Sequence, residues 1–316
     1  MSEQVYNLAF VFPGQGSQSV GMMSALAEDF VDVKQTFEQA SDVLAIDLWR
    51  LVEKGPADEL NQTHNTQPAM LAAGYAVWRL WCQQSRIRPG WVAGHSLGEY
   101  TALVCSGALS FEDGIRLVAE RGRLMQAAVP EGRGAMAAIL GLEDHEVVKV
   151  CQAAADGDIV APVNYNAPGQ VVIAGKKAAV ERAMNLAKEA GAKRAVLLPV
   201  SVPSHCALME SAAEKLKGFL QEVALSTPEM TLIHNVDVGA HSAPEVIRNA
   251  LREQLFKPVR WVEGIKFMAD QGVATFVECG PGKVLMGLNK RIVKGAAHYS
   301  IFDPETLNQA LEKLNG

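Results

Sequence analysis

The chain has 316 residues and a mass of 34.0 kDa, with 49% hydrophobic and 20% charged residues and a formal charge of −6. That length suits one large core plus a smaller second unit, and the composition leaves no low-complexity or like-charge tract that would stay disordered. Net acidity provides no general field for nucleic acid, no apolar run approaches the roughly 20 residues that cross a bilayer, and Met1–Gln4 lacks a basic signal start, so neither nucleic acid nor membrane is an expected partner and the expected location is cytoplasmic.

Leu8-Ala9-Phe10-Val11-Phe12 is a buried strand that runs into the tight loop Pro13-Gly14-Gln15-Gly16-Ser17, with a helix following from about Met22. The stretch from Thr66 to Trp81 repeats Met70, Leu71, Val77 and Leu80 near helical period and has Pro68 near its start, which predicts a buried helix. Trp91-Val92-Ala93 is a short strand before Gly94. Asp113 to Ala128 is a helix whose buried side carries Ile115, Leu117, Val118, Leu124 and Met125. Strands alternating with helices point to a mainly parallel sheet.

Between Val129 and Val202 the pattern becomes βαββαβ: strands at Ala135–Leu140, Ile159–Asn166, Val171–Ile173 and Ala195–Val200, helices over Asp144–Ala154 and Lys177–Ala190. That order is the split βαβ arrangement. A helix over Ala207–Glu222 and strands near Thr231–Asn235 and Thr275–Glu278 return to α/β alternation. The expected fold class is therefore α/β: a larger, α/β-hydrolase-like domain with a parallel-sheet core over 1–128 and 203–316, and an inserted ferredoxin-like domain over 129–202. Cys82, Cys105, Cys151, Cys206 and Cys279 fit no metal-ligand spacing, and an odd number builds no disulfide framework, so they are read as reduced and mostly buried.

Gly94-His95-Ser96-Leu97-Gly98 follows a strand and opens a helix, the setting of a nucleophile elbow. A serine nucleophile needs oxyanion donors and a base. The Leu97 N–H lies at the start of a helix, where donors are unpaired, and the Gln15 N–H lies in a loop leaving the same edge of the sheet. Among seven histidines, His205 in a junction loop is the first choice of base and His234, at the end of an apolar strand, the second.

Phe12-Pro13-Gly14-Gln15-Gly16-Ser17-Gln18, Gly94-His95-Ser96-Leu97-Gly98-Glu99, Asn166-Ala167-Pro168-Gly169-Gln170 and Val202-Pro203-Ser204-His205 together resemble, in order and almost end to end, the signature segments of bacterial malonyl-CoA:acyl carrier protein transacylases. The resemblance implies Ser96 as nucleophile, His205 as base, Gln15 and Leu97 as oxyanion donors, and Gln254 as the group that fixes the histidine. It implies Arg121 as the partner of the malonyl carboxylate, a planar fork that binds it through two parallel hydrogen bonds. An acetyl group would leave that cation unpaired at a cost of about 3 kcal/mol, on the order of a hundredfold discrimination. His95 and Met125 are implied as pocket walls, and Asn166 and Arg194 as residues near the coenzyme A entrance. The implied partners are malonyl-CoA and an acyl carrier protein, for which Lys188, Lys193, Arg194, Lys290, Arg291 and Lys294 are a candidate docking patch; the implied pathway is fatty acid biosynthesis. Acyl transfer through a serine ester needs no cofactor and no metal.

Other assignments compete. An α/β-hydrolase esterase or thioesterase shares GxSxG and would use Asp156 or Asp158 as its acid; an acyltransferase for methylmalonyl-CoA would differ only in pocket width. Cys206 is an alternative nucleophile beside His205, and Gly280-Pro281-Gly282-Lys283 an alternative phosphate-cradling turn.

Overall fold

Alternation along Leu8 to Phe12 decides how the larger core forms. Leu8, Phe10 and Phe12 point into a cluster with the helices Val31–Leu44, Thr63–Gln84 and Phe111–Ala128, while Ala9 and Val11 point into a second cluster with the helices Trp261–Asp270 and Val284–Ile292. A strand buried on both faces must read as an unbroken apolar run, which is why no polar residue interrupts it. The computed structural model in which these contacts are seen describes residues 3–200 and 202–315; Met1, Ser2, Ser201 and Gly316, which the predicted domain bounds include, lie outside the described residues.

The strands are β1 (Glu3–Phe12), β2 (Ile87–Gly94), β3 (Gly134–Leu140), β4 (Val160–Ala167), β5 (Gln170–Lys176), β6 (Arg194–Leu197), β7 (Thr231–Ile233), β8 (Thr275–Cys279) and β9 (Ala297–Ile301). The first sheet has five strands, all parallel, in the order β7-β2-β1-β8-β9. Its register pairs Phe12 with Gly94 and Ala93 with Ile233. Three strands thus end at one edge, and the loops that leave them, at Pro13–Ser17, His95–Leu97 and His234–Asn235, are neighbours there.

The second sheet is antiparallel, ordered β4-β5-β3-β6. On one face Ala135, Ala137 and Ile139 pack with the helices Asp144–Ala155 and Lys177–Glu189. The opposite face carries Met136, Val163, Val172 and Ala174, packed with Cys206. Tyr165 and Val259 tie β4 to the larger core, with Tyr165 N donating to Val259 O at 3.0 Å and Val259 N to Val163 O at 2.8 Å. The structure is therefore mixed α/β, with one parallel sheet and a separate antiparallel one.

Several boundaries move from the sequence expectation. The helix expected from Thr66 begins at Thr63, so Pro68 sits inside it. The strand expected to run to Val200 ends at Leu197; Leu198 N still donates to Met136 O at 2.9 Å, and the side chains of Leu198 and Val200 line a cleft. Strand β9 had no expectation, its His298 and Ser300 diluting the apolar signal. Beside the Gly280–Lys283 turn, an expected phosphate cradle, stands a carboxylate of the chain itself. Glu278, buried, turns its carboxylate onto the helix that follows, accepting from Met286 N at 2.7 Å, so the start of that helix already faces an internal carboxyl group. Burial pushes the Glu278 carboxyl up to about 7 against the pull of those N–H groups.

Candidate active site

Glycine sterics build the elbow. A Cβ on Gly94 would lie 1.8 Å from the Gly98 carbonyl carbon, and one on Gly98 would lie 2.0 Å from Phe12 O. Only hydrogen side chains let the turn close on itself and on the end of β1. Ser96, at the tip, has φ 52°, a left-handed conformation that costs an L-residue about 1–2 kcal/mol. Its backbone is held there by Asn235, whose Oδ1 accepts from Ser96 N at 2.7 Å while Nδ2 donates to Gly94 O at 2.7 Å.

His205 enters from the loop after the antiparallel sheet. Its own backbone is left-handed at φ 64°, and its N–H donates to Leu255 O at 2.9 Å. The ring Nδ1 lies 2.6 Å from Gln254 O, and Nε2 lies 2.7 Å from Ser96 Oγ. A carbonyl only accepts, so the proton sits on Nδ1 and Nε2 is free to accept from the serine hydroxyl. Burial, reinforced by the nearby Arg121 cation, holds the imidazole down to about 3, so the ring is neutral at ordinary pH.

Arg121 is buried, 1% exposed, at the inner end of the same space. Gly122 makes this possible: a Cβ there would lie 2.6 Å from His64 Cα, so the two long helices touch at this point and bring Gln67 against the guanidinium. Nη1 donates to Gln67 Oε1 at 2.8 Å, and Nη2 to Gln254 Oε1 at 2.9 Å and to Ser96 Oγ at 3.2 Å. Among the described residues Nε has no acceptor, and the guanidinium stands 5.3 Å over the Tyr100 ring. A buried cation with an unused donor, beside a serine, has the chemistry to hold an anionic group.

The cleft around Ser96 is lined by Gln15, His95, Leu97, Arg121, Met125 and His205 from the larger core, and by Met136, Asn164, Leu198 and Val200 from the antiparallel sheet and the segment after β6. His95 Nε2 donates to Asn166 Oδ1 at 2.7 Å, which joins the elbow to β4, and burial lowers the basicity of this ring also. Met125 is buried and accepts through Sδ from Gln67 Nε2 at 3.5 Å.

Not every sequence expectation meets in the cleft. Arg194 begins β6, is exposed, and is not among the residues that line the cleft, which in this segment start at Leu198. Gln254 meets His205 through its main-chain carbonyl; its side chain serves Arg121 instead. His234, second choice as base, is turned away and donates from Nδ1 to Glu99 Oε1 at 2.7 Å. Cys206 is buried, its thiol pushed up to about 11 by burial, which removes it as a nucleophile. Asp158 is engaged by Lys176 at 2.8 Å and Arg182 at 3.3 Å, and the Nδ1 position of an acid is filled by Gln254 O, so no Ser-His-Asp triad forms with Asp158. Arg291 is committed to Pro168 O at 2.8 Å and Gln170 Oε1 at 2.5 Å. Sequence reasoning missed Gln67, Glu99, Asn164 and Asn235. For Glu99 there was a signal, a carboxylate inside an otherwise apolar helix start.

The Acyl transferase domain family matches residues 9–301. This chain belongs to that family. As an acyl transferase domain it is similar to the malonyl CoA-acyl carrier protein transacylase of Haemophilus influenzae, 55% identical over 307 residues that cover 97% of this chain and 98% of that protein. It resembles the crystal structure of an acyl carrier protein S-malonyltransferase from Vibrio cholerae, with TM-score 0.94 and 56% identity over 96% of this chain and 99% of that one. It also resembles a malonyl-transacylase solved in complex with its type II PKS acyl-carrier protein, with TM-score 0.96 and 54% identity over 97% of this chain and 99% of that one. No helix among the described residues is long and apolar enough to cross a membrane.

Proposed function

We propose that this acyl transferase moves a malonyl group from malonyl-CoA to the phosphopantetheine thiol of an acyl carrier protein, through an ester on Ser96, and so supplies fatty acid biosynthesis. The observation that carries the reading is Arg121 Nη2 at 3.2 Å from Ser96 Oγ, a buried cation placed where the far end of a short acyl group bound to that serine would lie.

Ser96 Oγ attacks the thioester carbon as its proton passes to His205 Nε2. The oxyanion that forms is stabilised by the N–H groups of Gln15 and Leu97, both at the cleft. Collapse breaks the carbon–sulfur bond, and His205 returns the proton to the departing coenzyme A thiolate. The carrier thiol then attacks the ester, with His205 taking its proton and giving it back to Ser96. Throughout, Arg121 holds the malonyl carboxylate, Gln254 O steadies His205, His95 and Met125 shape the walls, and Asn166 stands toward the coenzyme A entrance. Arg194 meets the outer part of coenzyme A. The chemistry runs on protein groups and substrates alone.

In fold terms the antiparallel unit is a ferredoxin-like domain over 129–202 inserted into a discontinuous α/β-hydrolase-like domain. The βαββαβ order and the strand order β4-β5-β3-β6 support that reading. Intact-mass analysis after brief mixing with malonyl-CoA tests the function. A malonyl adduct on the wild type, absent from Ser96→Ala and weakened in Arg121→Ala, is expected; an adduct that persists in Ser96→Ala overturns it.

A further inference from the structure

Glu99 follows the elbow in the first turn of the helix Gly98–Cys105, a helix in which every residue is buried, and is itself 0% exposed. It lines no part of the cleft. Its Oε1 accepts from His234 Nδ1 at 2.7 Å, and its Oε2 accepts from Asn235 N at 3.0 Å and from Gln254 Nε2 at 2.8 Å. Two of these partners reach on to the reacting groups. Asn235 Oδ1 accepts from Ser96 N at 2.7 Å, while Gln254 Oε1 accepts from Arg121 Nη2 at 2.9 Å and Gln254 Nε2 donates to Ser96 O at 2.9 Å.

We propose that Glu99 is a positioning residue that sets Ser96 through Asn235 and Arg121 through Gln254, and thereby sustains selection for a carboxylated acyl group. The inference rests on the reading of Ser96 as nucleophile and Arg121 as the carboxylate receptor.

The direction of the Gln254 amide is the crux. Ser96 O and the Glu99 carboxylate can only accept, so the amide nitrogen faces them and its oxygen is left for Arg121, which can only donate. Without Glu99 the nitrogen keeps one acceptor in place of two. A flipped amide, now less costly, sets N–H groups against the guanidinium, and Arg121 loses a buried acceptor. Asn235 is a separate branch. Its backbone is tied to Glu99, and its side chain clamps the left-handed Ser96, a contact that matters to any acyl group.

The two branches predict different signatures. Single-turnover acylation of Ser96 in the full chain is followed by intact mass with malonyl-CoA and with acetyl-CoA. Glu99→Ala is expected to slow malonyl loading about 100-fold and acetyl loading about tenfold, so the malonyl-to-acetyl ratio falls about tenfold. Asn235→Ala slows both alike. Glu99→Gln restores most of the loss and the ratio: its amide oxygen accepts from Asn235 and Gln254, and its nitrogen donates to His234 Nδ1 once that ring's proton moves to Nε2, a buried atom with no partner among the described residues. Should Glu99→Ala fail to fold in thermal melts, Glu99→Asp, whose carboxylate stops about 1.5 Å short, carries the same expected fall in ratio. An unchanged ratio in the folded variant, or a Glu99→Gln as impaired as Glu99→Ala, overturns the inference while a loaded wild type leaves the transferase reading standing. A wild type that takes no malonyl on Ser96 overturns the transferase reading itself, and this inference with it.

Discussion

His205 is oriented by the main-chain carbonyl of Gln254, at 2.6 Å from Nδ1, while the side chain of the same residue reaches the other way to Arg121 at 2.9 Å. One residue therefore serves the base with an atom no substitution removes and the substrate receptor with atoms any substitution changes. Gln254→Ala is expected to keep His205 in place and leave the pH profile of loading unchanged, while malonyl loading falls about tenfold to 100-fold as Arg121 loses its acceptor. Rates of malonyl-Ser96 formation across pH check this; a shifted profile would mean that the side chain, not the backbone, tunes the histidine.

The buried, neutral state of His205 fixes a second expectation. Its value in the fold, about 3, lies below the unfolded value near 6.5, so the unfolded chain binds the extra proton between these limits. Above about 6.5 both states are neutral and the full stability is present; as pH falls from there toward 3 the His205 contribution drains away. Loading should thus show no break near 6.5, while the melting temperature of the wild type declines over that window more steeply than that of His205→Gln. Parallel thermal melts and a pH–rate series measure both.

Strain at the nucleophile can be read directly. Ser96 holds φ 52°, which glycine adopts without penalty. Ser96→Gly and Ser96→Ala both lack the hydroxyl, so comparing them isolates the backbone. Ser96→Gly is expected to be more stable by about 1 kcal/mol, a melting point about 2 °C higher. Equal melting points would show that Asn235 and the elbow contacts leave no strain to relieve.

Much of this site is legible from the sequence because its parts sit where strands end. Leu8–Phe12 and Trp91–Ala93 are short apolar runs, and parallel pairing at Phe12 and Gly94 puts Gln15 beside Ser96 without further information. The βαββαβ order of the middle segment was equally open to periodicity. What stayed hidden depends on distance along the chain. Ser96 and Asn235 are 139 residues apart, Glu99 and Gln254 155, and no local pattern announces such pairs. Asn164 and Gln67 are ordinary polar residues until β4 and the Thr63–Gln84 helix are packed against the elbow. Arg194, exposed at the start of β6, stands four residues before Leu198, where that segment begins to line the cleft.

Transfer, as opposed to capture, is the central claim, and a chase measures it most directly. Enzyme loaded with malonyl on Ser96 is freed of coenzyme A and divided between buffer and a carrier protein bearing phosphopantetheine. The account predicts that the adduct leaves the enzyme and appears as added mass on the carrier thiol at a rate at least about 100-fold above its loss to water. Loss to water at the same rate with and without the carrier, leaving free malonate and an unmodified carrier, would contradict it and mark the protein as a hydrolase.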